Sequence, residues 1–350
     1  MEEMEMKKYL FILMVACAAV VACNKNESPA EAPSESNPVK MTLTATIGAD
    51  TKVSFVDQDN VLKTAWQKFN KVSLLALDVS GNVLSNDIFT AQNDGKTAVF
   101  EGEFTNDANT AEVWVFYPAL TEGTGAEDNQ YRVPRPHTYD QANGVIYGVT
   151  KGKQFISFCC QYPLQKKNND PSDICQYAVM AGKADMESLS EGNMNVALAH
   201  KSYVIKATVT FPDDNLQVRS MRMTFESAGR ETCLGGYGWT YTYDHMNNFA
   251  GGSQEEDPYL CFGDDVDSGT GTGITLDGNT LVAYFTLYAC EFYDEVLEET
   301  IQTQLRTGDK VSFLVATQSG EYFLDDKEFK KDVILENGKM YRMAATLVKK

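Results

Sequence analysis

The chain has 350 residues, 43% of them hydrophobic and 23% charged, and 49 acidic residues against 30 Lys and Arg give a net charge of −19. So acidic a body repels phosphate backbones, which argues against nucleic acid as a partner. Once a leader is set aside, the remaining length suits two domains.

The first segment, "MKKYLFILMVACAAVVAC", places Lys7 and Lys8 before an apolar run that stops at Cys23. Spanning a bilayer takes about 20 apolar residues, so the run is short for a membrane helix and reads as an export signal over residues 1–22. Its ending, Val20-Val21-Ala22-Cys23, resembles the lipobox of bacterial lipoproteins, in which cleavage before the cysteine lets that residue carry acyl chains on its sulfur and amine. Cys17 is a poorer match, and a plain secretory signal with an incidental cysteine is the other reading. Two or more acyl chains hold a protein on a membrane durably, so the resemblance implies an outer-membrane, lipid-anchored surface protein. Residues 23–39, with "NKNESPAEAPSESNPV" after the cysteine, are rich in Pro, Glu and Ser and read as a flexible tether. Loss of residues 1–22 removes Glu2, Glu3, Glu5, Lys7 and Lys8 and leaves −18.

Strand signals dominate from there on. "MTLTATI" (41–47) alternates apolar residues with threonine, the period of a half-buried strand. "KVSLLALDV", "VLSNDIF", "TAVFEGEF" and "AEVWVFYPAL" follow, parted by turns such as Ser80-Gly81-Asn82 and Asn93-Asp94-Gly95. After a looser Asn- and Pro-rich stretch come "ICQYAVMAGKA", "NVALAHKSYVIKATVTF" and "QVRSMRMTFES", then "TLVAYFTLYACEF", "KVSFLVATQ", "EYFLDD" and "KMYRMAATLV". One helix is predicted, in "YDEVLEETIQTQLRTGDK", from the spacing of Val296, Leu297, Ile301 and Leu305 and from Gly308 near its end. The pattern predicts an all-β chain of two sandwich domains, 40–187 and 188–350, divided where "ADMESLSEG" interrupts the strands. The second domain carries a long Gly-rich insertion at 229–278.

Catalytic chemistry is scarce. His137, His200 and His245 are too scattered to form a metal cluster by spacing, and His200 reads as a residue of a strand. No G-x-S-x-G, H-E-x-x-H or P-loop occurs, and "GTGTG" at 269–273 lacks the strand-then-helix setting of a phosphate cradle. Asp264-Asp265-Val266-Asp267 fails as an EF-hand, because the twelfth position is Leu276. The chain is therefore expected to be no enzyme, with no metal and no cofactor. Within the insertion, Tyr237, Trp239, Tyr241 and Tyr243 recur at every second position and would share one face of a strand. Such a stripe is either core-facing or an exposed platform for a glycan or a host surface. Six cysteines lie in the body, at 159, 160, 175, 233, 261 and 290, and a Cys233–Cys261 disulfide would pin the insertion at both ends.

Taken in order, the lipobox, the first strand "LTATIG", the tryptophan of "LKTAWQKFNKVSLLALD", "VWVFYPAL", "VALAHKSYVIKATVTF" and "LENGKMYRMAATLV" resemble the fimbrillin family. Its members are surface lipoproteins of anaerobic, didermal bacteria, among them type V pilus subunits, their anchors and solitary adhesins. The resemblance implies two tandem transthyretin-like β-sandwiches. It also implies pilus subunits as partners, joined by strand exchange, with "MTLTATI" and "MYRMAATLV" as the strands concerned. The family's usual Gly-Asp before the strand after the tryptophan is here Phe69-Asn70. Polymerising members lose their first strand to an arginine-directed protease, whereas the first arginine after this signal is Arg132, deep in the first domain. Lys25, Lys40 and Lys52 remain as sites for another protease. The expectation is that the first strand stays in place and that the chain is an anchor or solitary adhesin, with glycan binding through the aromatic stripe as the alternative.

Overall fold

The computed structural model describes residues 38–47, 56–58, 61–63, 65–122, 130–134, 145–150, 156–158, 163–177, 179–187, 192–227, 240–244, 248–253, 257–267, 269–287, 289, 291–294 and 299–350. Strands make up nearly all of the regular structure, as the alternating patterns predict. No helix among the described residues is long and apolar enough to cross a membrane.

Seven strands enclose the first core: β1 (Pro38–Ile47), β2 (Lys71–Leu77), β3 (Val83–Ala91), β4 (Thr97–Thr105), β5 (Glu112–Tyr117), β6 (Met180–Lys183) and β7 (Asn193–His200). They close on themselves in the order β1-β7-β6-β5-β2-β3-β4, back to β1. Closure removes exposed edges, the usual liability of a sheet. The core inside runs from Met41 to Leu198 and centres on Leu43, Trp66, Phe89, Phe100 and Val115, all fully buried. At Gly182 an added Cβ would lie 2.3 Å from the Ala197 carbonyl oxygen, so only glycine lets β6 pass that close to β7.

The second core lies between two sheets. One is three-stranded, in the order β11 (Thr280–Leu287), β8 (Tyr203–Thr210), β14 (Met340–Thr346). The other runs Leu164–Gln165, β10 (Tyr259–Phe262), β9 (Gln217–Glu226), β12 (Lys310–Thr317), β13 (Gly320–Glu328), β15 (Val348–Lys349). Their facing residues, among them Ile205, Val209, Met221, Met223, Leu281 and Phe313, form one apolar cluster from Tyr203 to Leu347. Because β7 pairs with β1 and β6, the change of core comes after His200, one strand later than the boundary drawn at 187/188.

Two sequence readings are corrected. Among the described residues the helix predicted from "YDEVLEETIQTQLRTGDK" is not found: Glu291–Asp294 and Glu299–Gln302 pair antiparallel, and Gln304–Leu305 pairs with Val333–Ile334. Thr300 and Ile301 are β-branched and suit that pairing, and Gly308 sits at a positive φ of 95° in the turn before β12. In "ICQYAVMAGKA" the first part is a 3-10 helix, Ser172–Tyr177, and only Met180–Lys183 is a strand.

The segment after Leu164 is a strap over β11. Gln165, fully buried, donates from Nε2 to the Val282 carbonyl at 2.9 Å and accepts from the Tyr284 N–H at 3.0 Å. Asn168 does the same one step on, donating to Thr280 O at 2.9 Å and accepting from Val282 N–H at 2.8 Å. Two side-chain amides thus stand where a neighbouring strand would, and they satisfy the edge of β11 from the Thr280 carbonyl to the Tyr284 N–H.

Candidate functional site

β1 is the strand that the resemblance singles out, and its local sequence explains its seat. Met41, Leu43, Ala45 and Ile47 are buried while Thr42, Thr44 and Thr46 are not, so the period of two seen in "MTLTATI" is the period of burial. β4 lies antiparallel on one side, with Leu43 opposite Phe100 and Ala45 opposite Ala98. β7 lies parallel on the other, with Leu43 opposite Met194, Ala45 opposite Val196 and Ile47 opposite Leu198. Inward residues therefore meet inward residues on both flanks. A slip by one position would turn all four apolar side chains to solvent.

Trp66 locks this strand from within. Its indole Nε1–H donates to the Ala45 carbonyl at 3.1 Å, and its ring meets Phe100 and Tyr117 edge-on at 4.9 and 5.5 Å between centroids. The residue is fully buried, so that hydrogen bond is shielded from water. Outside the core, the Thr46 and Thr97 hydroxyls lie 3.2 Å apart across β1 and β4.

Beside Trp66 the chain turns at Phe69, which holds a φ of 73° although it is no glycine and leaves its ring 70% exposed. The turn is held by Asn70, whose side-chain oxygen accepts from Gln67 N–H at 2.7 Å, and by Asp94, which accepts from Lys68 N–H at 2.6 Å. The Lys68 ammonium lies 5.1 Å from the Phe69 ring centre. A left-handed φ is the conformation that glycine ordinarily supplies, and here a phenylalanine adopts it. Sequence reading noted the departure at Phe69-Asn70 but not that it presents a ring to solvent.

Of the other sequence-predicted site residues, Cys23 lies outside the described residues, as do Tyr237 and Trp239. Tyr241 and Tyr243 are placed on the strand Thr240–Asp244, which pairs with Asn248–Ser253; only their backbone is described. The pairing shifts between Tyr241 and Tyr243, where the partner strand advances three residues, from Gly252 to Phe249, against two on the strand of the stripe.

The Cys233–Cys261 disulfide is overturned: Cys261 is a free thiol, fully buried in β10 beside Leu164 and Val266. Burial pushes that thiol up to about 12. Burial also pushes the His200 imidazole down to about 4, so the residue is a neutral part of β7's inner face. Among the described residues no group of three or more His, Cys, Asp or Glu is placed to hold a metal ion. In the Asp264–Asp267 turn, Asp265 accepts from its neighbour's Val266 N–H at 2.8 Å and Asp264 N–H donates to the Thr272 hydroxyl at 3.1 Å.

No family model and no curated protein matches the chain. Solved structures do resemble it. One, from Bacteroides ovatus and described as a cell adhesion protein, has 11% identity and a TM-score of 0.41 over 89% of this chain and 92% of its own. A fimbrial protein from the same organism gives 10% and 0.31 over 89% of this chain and 50% of its own. The fimbrial anchor protein Mfa2 from Porphyromonas gingivalis gives 9% and 0.31 over 80% and 79%. Scores of this size assign neither a family nor a function.

Proposed function

We propose that this chain is an exported, lipid-anchored surface protein of the fimbrillin type, non-enzymatic, which keeps β1 in its own sheet and so works as a pilus anchor or solitary adhesin rather than as a shaft subunit. The observation that carries the reading is the seat of β1: four buried side chains, strand partners on both flanks and the Trp66 bond to Ala45. A ring closed through β1 has no vacant position for a partner's strand. The stretch from Asn24 to Gln130 also contains no arginine at which an arginine-directed protease would release β1. Intact-mass measurement on protein extracted from native membranes tests this. The expected species begins at an acylated Cys23 and retains β1; a predominant unlipidated species beginning after Lys40 or Lys52 overturns it. Loss of acyl label on Cys23→Ala is expected in the same preparation. The glycan-binding alternative continues to rest on the sequence of the stripe at Tyr237–Tyr243 alone.

A further inference from the structure

The second core is treated differently at its two edges. At β11 the amides of Gln165 and Asn168 cap the edge, and Leu281, Ala283 and Phe285 beneath it are buried. At the opposite edge, β14, the inward residues Tyr341, Met343 and Ala345 are only partly buried, as are Leu324, Phe329 and Val333 across from them. The reason is topological. After β14 the chain crosses at buried Leu347 to the other sheet, where β15 pairs with β13 only at Tyr322 and Phe323. From Leu324 onward β13 has β12 on one side and, among the described residues, no strand on the other.

Between that half of β13 and the outer edge of β14 lies a cleft of about 430 Å³. Its floor is apolar, formed by Val311, Phe313, Phe329, Val333 and Met343. Its rim carries Lys327, Lys330, Lys331 and Arg342 against the single carboxylate of Glu328, which is already 2.9 Å from Lys330. Four cations to one anion is the reverse of a chain whose net charge is −19. The Ala344 carbonyl, on the far side of β14 from β8, is met at 3.0 Å by the Lys327 ammonium rather than by a neighbouring strand. In a ladder, alternate backbone groups point to each side, so the outward groups of β14 face this cleft.

We propose that this cleft is a docking site for an extended acidic segment of a partner protein, added as a strand to the outer edge of β14. Main-chain hydrogen bonds to β14 hold it, apolar side chains at every second position cover the partly exposed Phe329, Val333 and Met343, and carboxylates between them meet Lys327, Lys331 and Arg342. Lys327 is the placeholder: its bond to Ala344 yields to the incoming backbone and its charge passes to a carboxylate. The site needs no cleavage of β1 and lies in the other core, so it stands or falls separately from the retention of that strand.

A labelled nine-residue peptide of alternating Val and Glu, titrated by fluorescence anisotropy into the full-length detergent-extracted protein, tests it. Saturable binding is expected. The Val–Lys counterpart and a peptide N-methylated at alternate residues should each bind at least about tenfold more weakly, the first for charge and the second for lost main-chain bonds. Met343→Glu should abolish binding; the surface double variant Lys331→Glu with Arg342→Glu, which leaves the core untouched, should weaken it about tenfold or more. Hydrogen exchange at 340–346 should slow with peptide bound. No binding of the Val–Glu peptide, or equal binding of the N-methylated or Val–Lys peptide, overturns the proposal. So does dodecanoate binding that Met343→Glu removes while the peptide fails to bind, which would assign the cleft to an anionic amphiphile.

Discussion

Leu43→Ala measures how firmly β1 belongs to its own sheet. Leu43 is fully buried between Phe100 on β4 and Met194 on β7, and both flanking strands are themselves tied into the closed ring. A site held on both sides collapses poorly into the space left by a removed side chain. The cost therefore belongs in the upper part of the range for such truncations, about 3–5 kcal/mol. For a cooperative unit of roughly 150 residues, 1 kcal/mol moves Tm by about 2–4 °C, so the expected drop is roughly 6–20 °C. The neighbouring Thr44→Ala removes an outward, half-exposed side chain and should stay within about 0.5 kcal/mol, or about 2 °C. Differential scanning calorimetry of the two variants beside the unaltered protein reads both. The reasoning is refuted if the two variants shift Tm equally, or if Leu43→Ala leaves it unchanged, since either result means that β1 contributes no buried face to the first core.

Gln165→Leu should strand the buried Tyr284 N–H and leave the Val282 carbonyl with the Asn169 N–H alone, lowering stability by about 1–3 kcal/mol in a urea titration; a loss under about 0.5 kcal/mol would mean that the strap is not what satisfies β11. His200, held at about 4 in the fold against its ordinary 6.5, stays neutral when folded and takes a proton on unfolding below 6.5. Its contribution is therefore lost as pH falls from 6.5 towards 4, by about 2 kcal/mol at pH 5, and His200→Gln should show that much less loss between pH 7 and pH 5. Cys261, with its thiol pushed up to about 12, should resist maleimide at pH 8 in the folded protein and react on unfolding, as read by peptide mapping; labelling of the folded form would contradict its burial.

The alternation in "MTLTATI" was enough to predict which side chains of β1 are buried, because burial on one face leaves a period of two whatever the strand's partners are. The same logic misread 293–310. Val296, Leu297, Ile301 and Leu305 have helical spacing, yet Ile301 sits in an antiparallel strand pair and Leu305 is buried beside Val333, and spacing alone does not exclude that arrangement. The strap was invisible for another reason. Gln165 and Asn168 look like loop residues in an Asn-rich stretch, and the backbone groups they satisfy lie 117 and 114 positions away. Nothing in the cysteine spacing decides whether Cys261 pairs, because what places its side chain is packing beside Leu164 and Val266.

Strand pairing between remote parts of the chain also decides what the molecule offers to others. β8 and β14 both show apolar alternation, and both face the second core. β8 has β11 on one side and β14 on the other, so its inward residues Tyr203, Ile205, Ala207 and Val209 are all fully buried. Among the described residues β14 has a strand partner on one side only, and its inward Tyr341, Met343 and Ala345 remain partly exposed. Nothing in "MYRMAATLV" distinguishes a central strand from an edge, because the difference lies in the crossing at Leu347 that carries the chain to β13. An edge left with unpaired backbone and a partly covered apolar face ordinarily invites indiscriminate pairing with other chains. Here the edge is guarded by Lys327 on Ala344 and by the other cations of the rim, which oppose any copy of the same basic edge while leaving the cleft open to an acidic strand. The charges that protect β14 from self-association are thus the ones that select its partner.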